Sequence, residues 1–145
     1  MTDDLRDRIA VLMLSILPFY HKKVFRSGHC GTGMQAAQYR VLWILMREGI
    51  LPMSELGKHL YISKPYITTL VDQLIKEGYV ERNPDTRDRR VINISITPAG
   101  RKHLQQAGVE YKADIKDILS DLDDDDLGEL CQSLEKLHGI FAKIK

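Results

Sequence analysis

The stretch SKPYITTLVDQLIKEG, residues 63–78, is the part of the chain that decides the fold. Ser63 is a good N-cap, Pro65 fits a first helical turn, and Gly78 suits the end of a helix. Between these signals, apolar side chains recur with the i, i+3, i+4, i+7 spacing of an amphipathic helix at Ile67, Leu70, Val71 and Leu74. The pattern predicts a helix with one buried face and one polar face that is poor in carboxylates.

A shorter amphipathic segment comes directly before this helix. Its N-cap candidate is Ser54, and its inward-facing residues are Leu56 and Leu60. Only Tyr61 and Ile62 connect it to the longer helix, and so tight a connection predicts a helix-turn-helix whose second helix can enter a major groove. A polar helix face is by itself equally compatible with a simple solvated surface, so the next segment decides between the two.

The residues that follow have the pattern of a β-hairpin. Strands are predicted at residues 79–83 and 91–97, with a turn at Pro84 and Asp85, because Ile92, Ile94 and Ile96 alternate with polar residues. The exposed end of the hairpin carries three arginines, Arg87, Arg89 and Arg90. Guanidinium groups bind phosphates, and the narrow minor groove of A/T-rich DNA favours an inserted arginine. The hairpin is therefore predicted to be a DNA-binding wing.

The alternative for the wing arginines is solvation, or pairing with Asp85 or Asp88. If the alternation of the isoleucines continues toward the N-terminus, Arg90 lies on the same, buried side of the strand as the isoleucines. It is then the better partner for Asp88. We therefore expect Asp88 to be a brace for the wing, which leaves Arg87 and Arg89 freer to reach DNA.

These segments together resemble the MarR family of winged helix-turn-helix transcriptional regulators. The resemblance spans nearly the whole chain and is carried by SKPYITTLVDQLIKEGYVER (63–82), DRR (88–90), TPAG (97–100) and QYRVLWIL (38–45). It implies a mainly α fold with a small β-hairpin wing. The implied organisation is an N-terminal dimerisation helix in residues 1–31, a winged helix-turn-helix DNA-binding domain in 32–100, and C-terminal dimerisation helices in 101–145.

The predicted contacts to double-stranded DNA lie on the outward face of the second helix and on the wing. They are Ser63, Lys64, Pro65, Tyr66, Thr68, Thr69, Gln73, Arg87, Arg89 and Arg90. Two positions depart from the family pattern: Gln35 replaces a usual threonine, and Thr69 replaces a common arginine. The second change removes a group that would read guanine or bind phosphate.

The ends of the chain carry long apolar stripes, including Leu5, Ile9 and Leu12 near the start and Leu130, Leu134 and Leu137 near the end. They supply more apolar surface than a small winged-helix core can cover, and such surface usually lies in an interface. The resemblance implies a symmetric homodimer. Two copies would read the two half-sites of a pseudo-palindromic operator one helical turn apart.

Composition and motifs exclude several other classes. The chain has 20 acidic and 21 basic residues, and no apolar run approaches the length of a membrane span. We therefore expect a cytoplasmic protein with no membrane partner. The five histidines lack metal-site spacing, and no phosphate loop or nucleophile elbow is present, so we expect no enzyme, cofactor or metal. We interpret LDDDDL, residues 122–127, as helix-start carboxylates and not as a cation site.

The chief alternative from another class is a winged helix that binds proteins and not DNA. Such a module would carry apolar residues on the exposed helix face, where only Tyr66 fits. We therefore favour a DNA-binding regulator, and specifically a repressor.

The regulatory signal remains open between three kinds implied by the resemblance: a small phenolic or anionic effector, cysteine oxidation, or a metal. The effector-pocket candidates are Tyr20, Lys23, Tyr39 and Trp43. Cys30 is the redox candidate because the neighbouring His29 can lower its thiol pKa, although an ordinary loop cysteine is the alternative. Cys131 is predicted to be a core residue.

Overall fold

The computed structural model of the chain describes residues 2–19 and 35–144. These residues form six α-helices and three short β-strands. In chain order the elements are α1 (Thr2–Phe19), α2 (Ala36–Glu48), β1 (Leu51–Pro52), α3 (Met53–Leu60), α4 (Lys64–Lys76), β2 (Val80–Pro84), β3 (Ile92–Ile96), α5 (Pro98–Ile118) and α6 (Asp124–Phe141). The fold is mainly α with one small antiparallel sheet, as the sequence predicted. No helix within the described ranges is long and apolar enough to cross a membrane.

The hydrophobic core lies beneath the helix-turn-helix formed by α3 and α4. The predicted inner face of α4 is confirmed, because Ile67, Leu70, Val71 and Leu74 are all buried. They pack in one cluster with Leu56 and Leu60 of α3, the apolar face of α2, Val80, Ile94 and Ile96 of the hairpin, and Leu104, Ala107 and Tyr111 of α5. The outward face of α4 is thus fixed by the burial of the opposite face.

The sheet has the strand order β1-β3-β2, and both pairs are antiparallel. In the predicted hairpin, Val80 lies opposite Ile96 and Pro84 lies opposite Ile92. Pro84 was predicted in the turn but is the last residue of β2, where an edge strand tolerates a missing N–H donor. The third strand, β1, was not predicted.

The predicted roles of Ser54 and Cys131 were wrong. Ser54 is not the N-cap of α3. The N-cap is Pro52 (φ −59°, ψ 146°), which is also the last residue of β1, so the helix begins at Met53. Cys131 is not a core residue but is exposed, because no residue of α6 is buried in the single chain. Asp123 does cap α6, since its side chain accepts the N–H of Asp126 at 2.8 Å.

The chain divides into two compact units, Met1–Tyr111 and Lys112–Lys145. In the first unit, α1 exposes the apolar side chains of Leu5, Ile9, Leu12 and Ile16. In the second unit, α6 exposes those of Leu134, Leu137, Ile140 and Phe141. The predicted continuation of the first helix past Phe19 lies outside the described residues.

Thr97 joins the wing to α5. Its Oγ1 donates to the carbonyl oxygen of Gly78 at 2.7 Å and accepts the N–H of Gly100 at 3.0 Å, so Thr97 caps the first turn of α5. Its own N–H donates to the carbonyl oxygen of Tyr79 at 3.0 Å. Further along α5, His103 stacks on the Tyr79 ring with a centroid distance of 4.2 Å. These contacts fix the start of α5 to the root of the wing.

Candidate nucleic-acid interface

The predicted base-reading residues lie on the solvent side of α4. Six are exposed and Thr68 is half-buried; the exposed ones are Ser63, Lys64, Pro65, Tyr66, Thr69 and Gln73. Ser63 is the N-cap residue, and its side chain makes no capping hydrogen bond. All seven side chains are therefore accessible to a molecule that lies along this face.

The two threonines of this face direct their hydroxyl protons into the helix. Thr68 Oγ1 donates to the Lys64 carbonyl at 2.8 Å, and Thr69 Oγ1 donates to the Pro65 carbonyl at 3.0 Å. Each threonine then offers an acceptor oxygen and a methyl group to a partner. Those groups match the amino groups and the thymine methyl that bases present in the major groove.

The single carboxylate of α4 is paired with a wing residue that the sequence did not lead us to expect. Arg82 Nη2 on β2 donates to Asp72 Oδ1. Both side chains are partly exposed, so the pair is worth only about 0 to 1 kcal/mol in stability. Its larger effect is electrostatic, because it neutralises the one negative charge of α4. The sequence signal for this pair was the position of Asp72 and Arg82, which lie ten residues apart on either side of the turn at Gly78.

The wing tip holds its arginines in two different ways. Arg90 pairs with Asp88 in a fork, with Nε at 3.1 Å from Oδ1 and Nη2 at 3.2 Å from Oδ2. The Arg90 N–H also donates to Asp88 Oδ1 at 3.0 Å. The guanidinium groups of Arg87 and Arg89 are exposed and have no carboxylate partner among residues 2–19 and 35–144.

The predicted cause of the Arg90 pairing was wrong, although the structure contains the pair. The Arg90 side chain is 91% exposed and does not share the buried phase of the isoleucines. The chain turns at Arg89 and Arg90, so the strand alternation that starts at Ile92 does not extend back to them. Short-range geometry between Asp88 and Arg90 makes the pair.

The Arg90 guanidinium holds the pKa of Asp88 below its ordinary value of 3.8, and the Arg90 backbone N–H adds to this effect. A carboxyl group whose pKa is lowered by folding stabilises the fold above its unfolded pKa. That contribution disappears only as the pH falls through the lowered pKa. The ion pair between Asp88 and Arg90 is therefore present throughout the neutral range.

We expect Arg90→Ala to raise the pKa of Asp88 toward 3.8, because the substitution removes the largest cause of the shift. Arg87→Ala is the matched control, since the Arg87 N–H donates to Asp85 and not to Asp88. An acid titration of the carboxyl carbons by NMR measures both values. An Asp88 pKa that is the same in both variants would contradict the brace.

An open groove of about 840 Å³ lies between α3, α4 and the wing. Its apolar lining includes Pro52, Met53, Ile62, Ile67, Val91 and Ile92. Its polar lining includes Lys58, Tyr61, Lys64, Arg82 and Arg90. We call it the turn groove, because the turn between α3 and α4 contributes Tyr61 and Ile62.

The effector candidates fall only partly within the described residues. Tyr39 packs edge-on against Tyr111 with a centroid distance of 5.0 Å, and Trp43 is 42% exposed one turn further along α2. The guanidinium of Arg47 lies 4.8 Å from the centre of the Trp43 ring. The other candidates, Tyr20, Lys23 and Cys30, lie outside the described residues, as does His29. The described part of the chain contains no group of three or more potential metal ligands.

Comparison with known proteins gives a consistent assignment. Residues 34–92 match the model of the MarR family. The HTH-type transcriptional regulator PapX from Escherichia coli is 32% identical over 77% of this chain and 70% of its own length. The HTH-type transcriptional repressor YetL from Bacillus subtilis strain 168 is 28% identical over 72% of this chain and 68% of its own length.

The same fold occurs in the crystal structure of a mutant of MarR from E. coli complexed with operator DNA. That structure has a TM-score of 0.67 and 21% identity, over 90% of this chain and 93% of the other. Fold and sequence therefore agree with the resemblance drawn from the wing and the second helix. This chain belongs to the MarR family, and it is a winged helix-turn-helix transcriptional regulator and not an enzyme.

Proposed function

We propose that this protein is a repressor that binds double-stranded DNA as a symmetric homodimer and is released by a small-molecule or oxidative signal. The observation that carries the proposal is the solvent face of α4, whose polar side chains are exposed while its one carboxylate is paired with Arg82. The guanidinium groups of Arg87 and Arg89, which have no carboxylate partner among the described residues, belong to the adjacent wing. A neutral-to-cationic helix face beside a cationic wing suits a polyanion.

The sequence-reading contacts are assigned to α4, and the backbone or minor-groove contacts to the wing. Side chains that reach base edges specify the sequence, whereas arginines on phosphates add affinity that does not depend on sequence. Gln73 can pair with adenine through its amide, which offers both a donor and an acceptor. Asp88 keeps Arg90 braced and leaves Arg87 and Arg89 to contact the duplex.

The homodimer is supported by the exposed apolar side chains of α1 and α6 described above. A single winged helix reads too few base pairs for specificity, and two copies related by a twofold axis remove that limit. We assign residues 1–31 and 101–145 to dimerisation and residues 32–100 to DNA binding. Repression is supported by the relative YetL, which is itself named a repressor.

We assign the binding site for the effector to α2. Tyr39 and Trp43 are one turn apart on α2, and the Arg47 cation lies over the Trp43 ring. An aromatic ring next to a guanidinium suits a small phenolic or anionic effector. We include Tyr20 and Lys23 in this pocket, and we keep Cys30 as the candidate for an oxidative signal.

Selection of bound fragments from the host's genomic DNA tests the proposal directly. We expect a pseudo-palindromic sequence whose half-sites are about 10 base pairs apart, or a multiple of that spacing. Fragments without a shared sequence, or a shared single half-site, would contradict a symmetric DNA-reading dimer.

Gln73→Ala is expected to change the selected sequence, because a good base contact contributes about 1 to 3 kcal/mol of discrimination. Its effect on non-specific affinity should be smaller. Gln105→Ala is the matched control, since Gln105 is an exposed glutamine of α5 outside the proposed interface. If both variants select the parent's sequence, Gln73 does not face a base.

A further inference from the structure

Tyr61 has an unusual backbone conformation at the turn between α3 and α4. It is the only residue other than glycine with a positive φ among the described residues, at φ 53° and ψ 42°. Its N–H donates to the Lys58 carbonyl at 3.2 Å, and the N–H of Ile62 donates to the Gly57 carbonyl at 3.0 Å. Glycine would make this left-handed helix end without a steric penalty. The geometry of the turn alone therefore does not explain why residue 61 is a tyrosine.

Packing among the described residues does not explain it either. The Tyr61 side chain is 96% exposed, so the ring contributes almost nothing to the core. A strained residue that brings no structural benefit is a reason to look for a function outside the chain.

The neighbours of Tyr61 indicate what it binds. Lys58 and Lys64 line the turn groove together with Tyr61. Lys58 Nζ forms an ion pair with Glu55 Oε1 at 3.2 Å, whereas Lys64 has no carboxylate partner within the described ranges. A phenol that can donate a hydrogen bond, lining the same groove as two ammonium groups, suits an anion with several oxygens.

The position of the turn groove identifies that anion. The groove is bordered by α4 on one side and by Arg90, Val91 and Ile92 of the wing on the other. When a recognition helix occupies a major groove and a wing approaches the next minor groove, the phosphate strand that separates the two grooves passes between them. That strand would cross the turn groove at Tyr61.

We propose that Tyr61, Lys58 and Lys64 form a seat for DNA backbone phosphates between the recognition helix and the wing. The proposal rests on the proposed DNA-binding function. It adds Tyr61 and Lys58 to the DNA contacts and assigns Lys64, already among them, to a backbone phosphate. The lysines supply charge, and the Tyr61 hydroxyl donates a directional hydrogen bond that fixes the register of the helix on the duplex. Such contacts position the protein without reading the sequence.

The test begins with Tyr61→Phe, which keeps the ring and the backbone conformation but removes the hydroxyl. We expect a several-fold loss of affinity for operator and for unrelated duplex alike, with an unchanged salt slope, because a neutral donor releases no counterion. Lys64→Gln should instead flatten the slope of log affinity against log salt by about 0.9 for each phosphate that is no longer neutralised. Tyr79→Phe, which removes a hydroxyl outside the seat, is the control.

A second variant separates binding from folding. Tyr61→Gly relieves the left-handed strain, so we expect it to raise the melting temperature while it weakens DNA binding. A purely structural role for Tyr61 cannot give these opposite changes. Duplexes with one methylphosphonate at a time should then reveal phosphates whose replacement weakens the parent protein but not Tyr61→Phe.

Two results would contradict the proposed phosphate seat, and they can be distinguished from each other. If Tyr61→Phe and Lys64→Gln keep the parent's affinity and salt slope while Arg89→Ala weakens binding, the seat is wrong but the DNA-binding function stands. If the parent protein selects no genomic fragment, the proposed function fails and the seat fails with it.

Discussion

Replacing Gly100 with alanine is expected to lower the free energy of unfolding by about 3 kcal/mol or more, at the upper end of what overpacking costs. A Cβ at this position would lie 2.1 Å from the Tyr79 carbonyl oxygen and 2.8 Å from Ile96 Cγ1. The carbonyl cannot move away easily, because it accepts the N–H of Thr97. The new methyl group must therefore separate α5 from the wing or distort both. Urea denaturation of the variant measures the loss.

Gly128→Ala is the control for this prediction. Gly128 lies within α6, and a Cβ there would meet nothing within 4 Å. We expect this substitution to stabilise the protein by about 0.5 to 1 kcal/mol, since alanine loses less conformational freedom than glycine in a helix. Equal effects of the two substitutions would show that the close approach of Gly100 to Tyr79 is unimportant.

Removing both Arg87 and Arg89 is expected to have the largest effect on DNA binding. In a symmetric dimer, Arg87→Ala combined with Arg89→Ala removes two cations from each of the two wings. We expect the slope of log affinity against log salt to become shallower by about 0.9 for each phosphate that these arginines neutralise in the parent complex. At about 0.15 M salt the affinity should fall on the order of 100-fold. An arginine that enters the minor groove adds a further loss on sites with A/T-rich flanks.

A salt titration of the double variant beside a melting curve checks this expectation. Arg6→Ala is the control, because Arg6 is an exposed arginine of α1 that pairs with Asp3 at 3.3 Å and lies outside the proposed DNA interface. The melting temperature of the double variant should match that of the parent, since neither wing arginine has a carboxylate partner among the described residues. If the affinity and slope are unchanged, the wing does not bind DNA, and a protein-interaction module becomes the better interpretation.

The parts of the fold that could be predicted are those that repeat a signal over many residues. Helix α4 has a four-residue apolar stripe, an N-cap and a terminal glycine, and its buried face was predicted completely. The isoleucine alternation likewise predicted the β2–β3 hairpin. Strand β1 was missed because two residues cannot show an alternation.

The candidate site was predictable in composition and less so in its pairings. The exposed face of α4 follows from which face is buried, so its residues could be named from the sequence. The Asp72–Arg82 pair could not be predicted, because it depends on how β2 packs against α4. The left-handed backbone at Tyr61 could not be predicted either, because the residue type there is not glycine. The DNA and effector contacts themselves remain predictions.

The strand order of the sheet also protects the wing against unwanted self-association. Because β3 lies in the centre, the outer edges belong to β1 and β2. An unpaired edge is a template on which another chain can add a strand, and short length, charge and proline all hinder that addition. β1 is two residues long and ends at Pro52, while β2 exposes Glu81 and Arg82 and ends at Pro84. The sheet is therefore a poor nucleus for aggregation, even when many copies of the protein are crowded together.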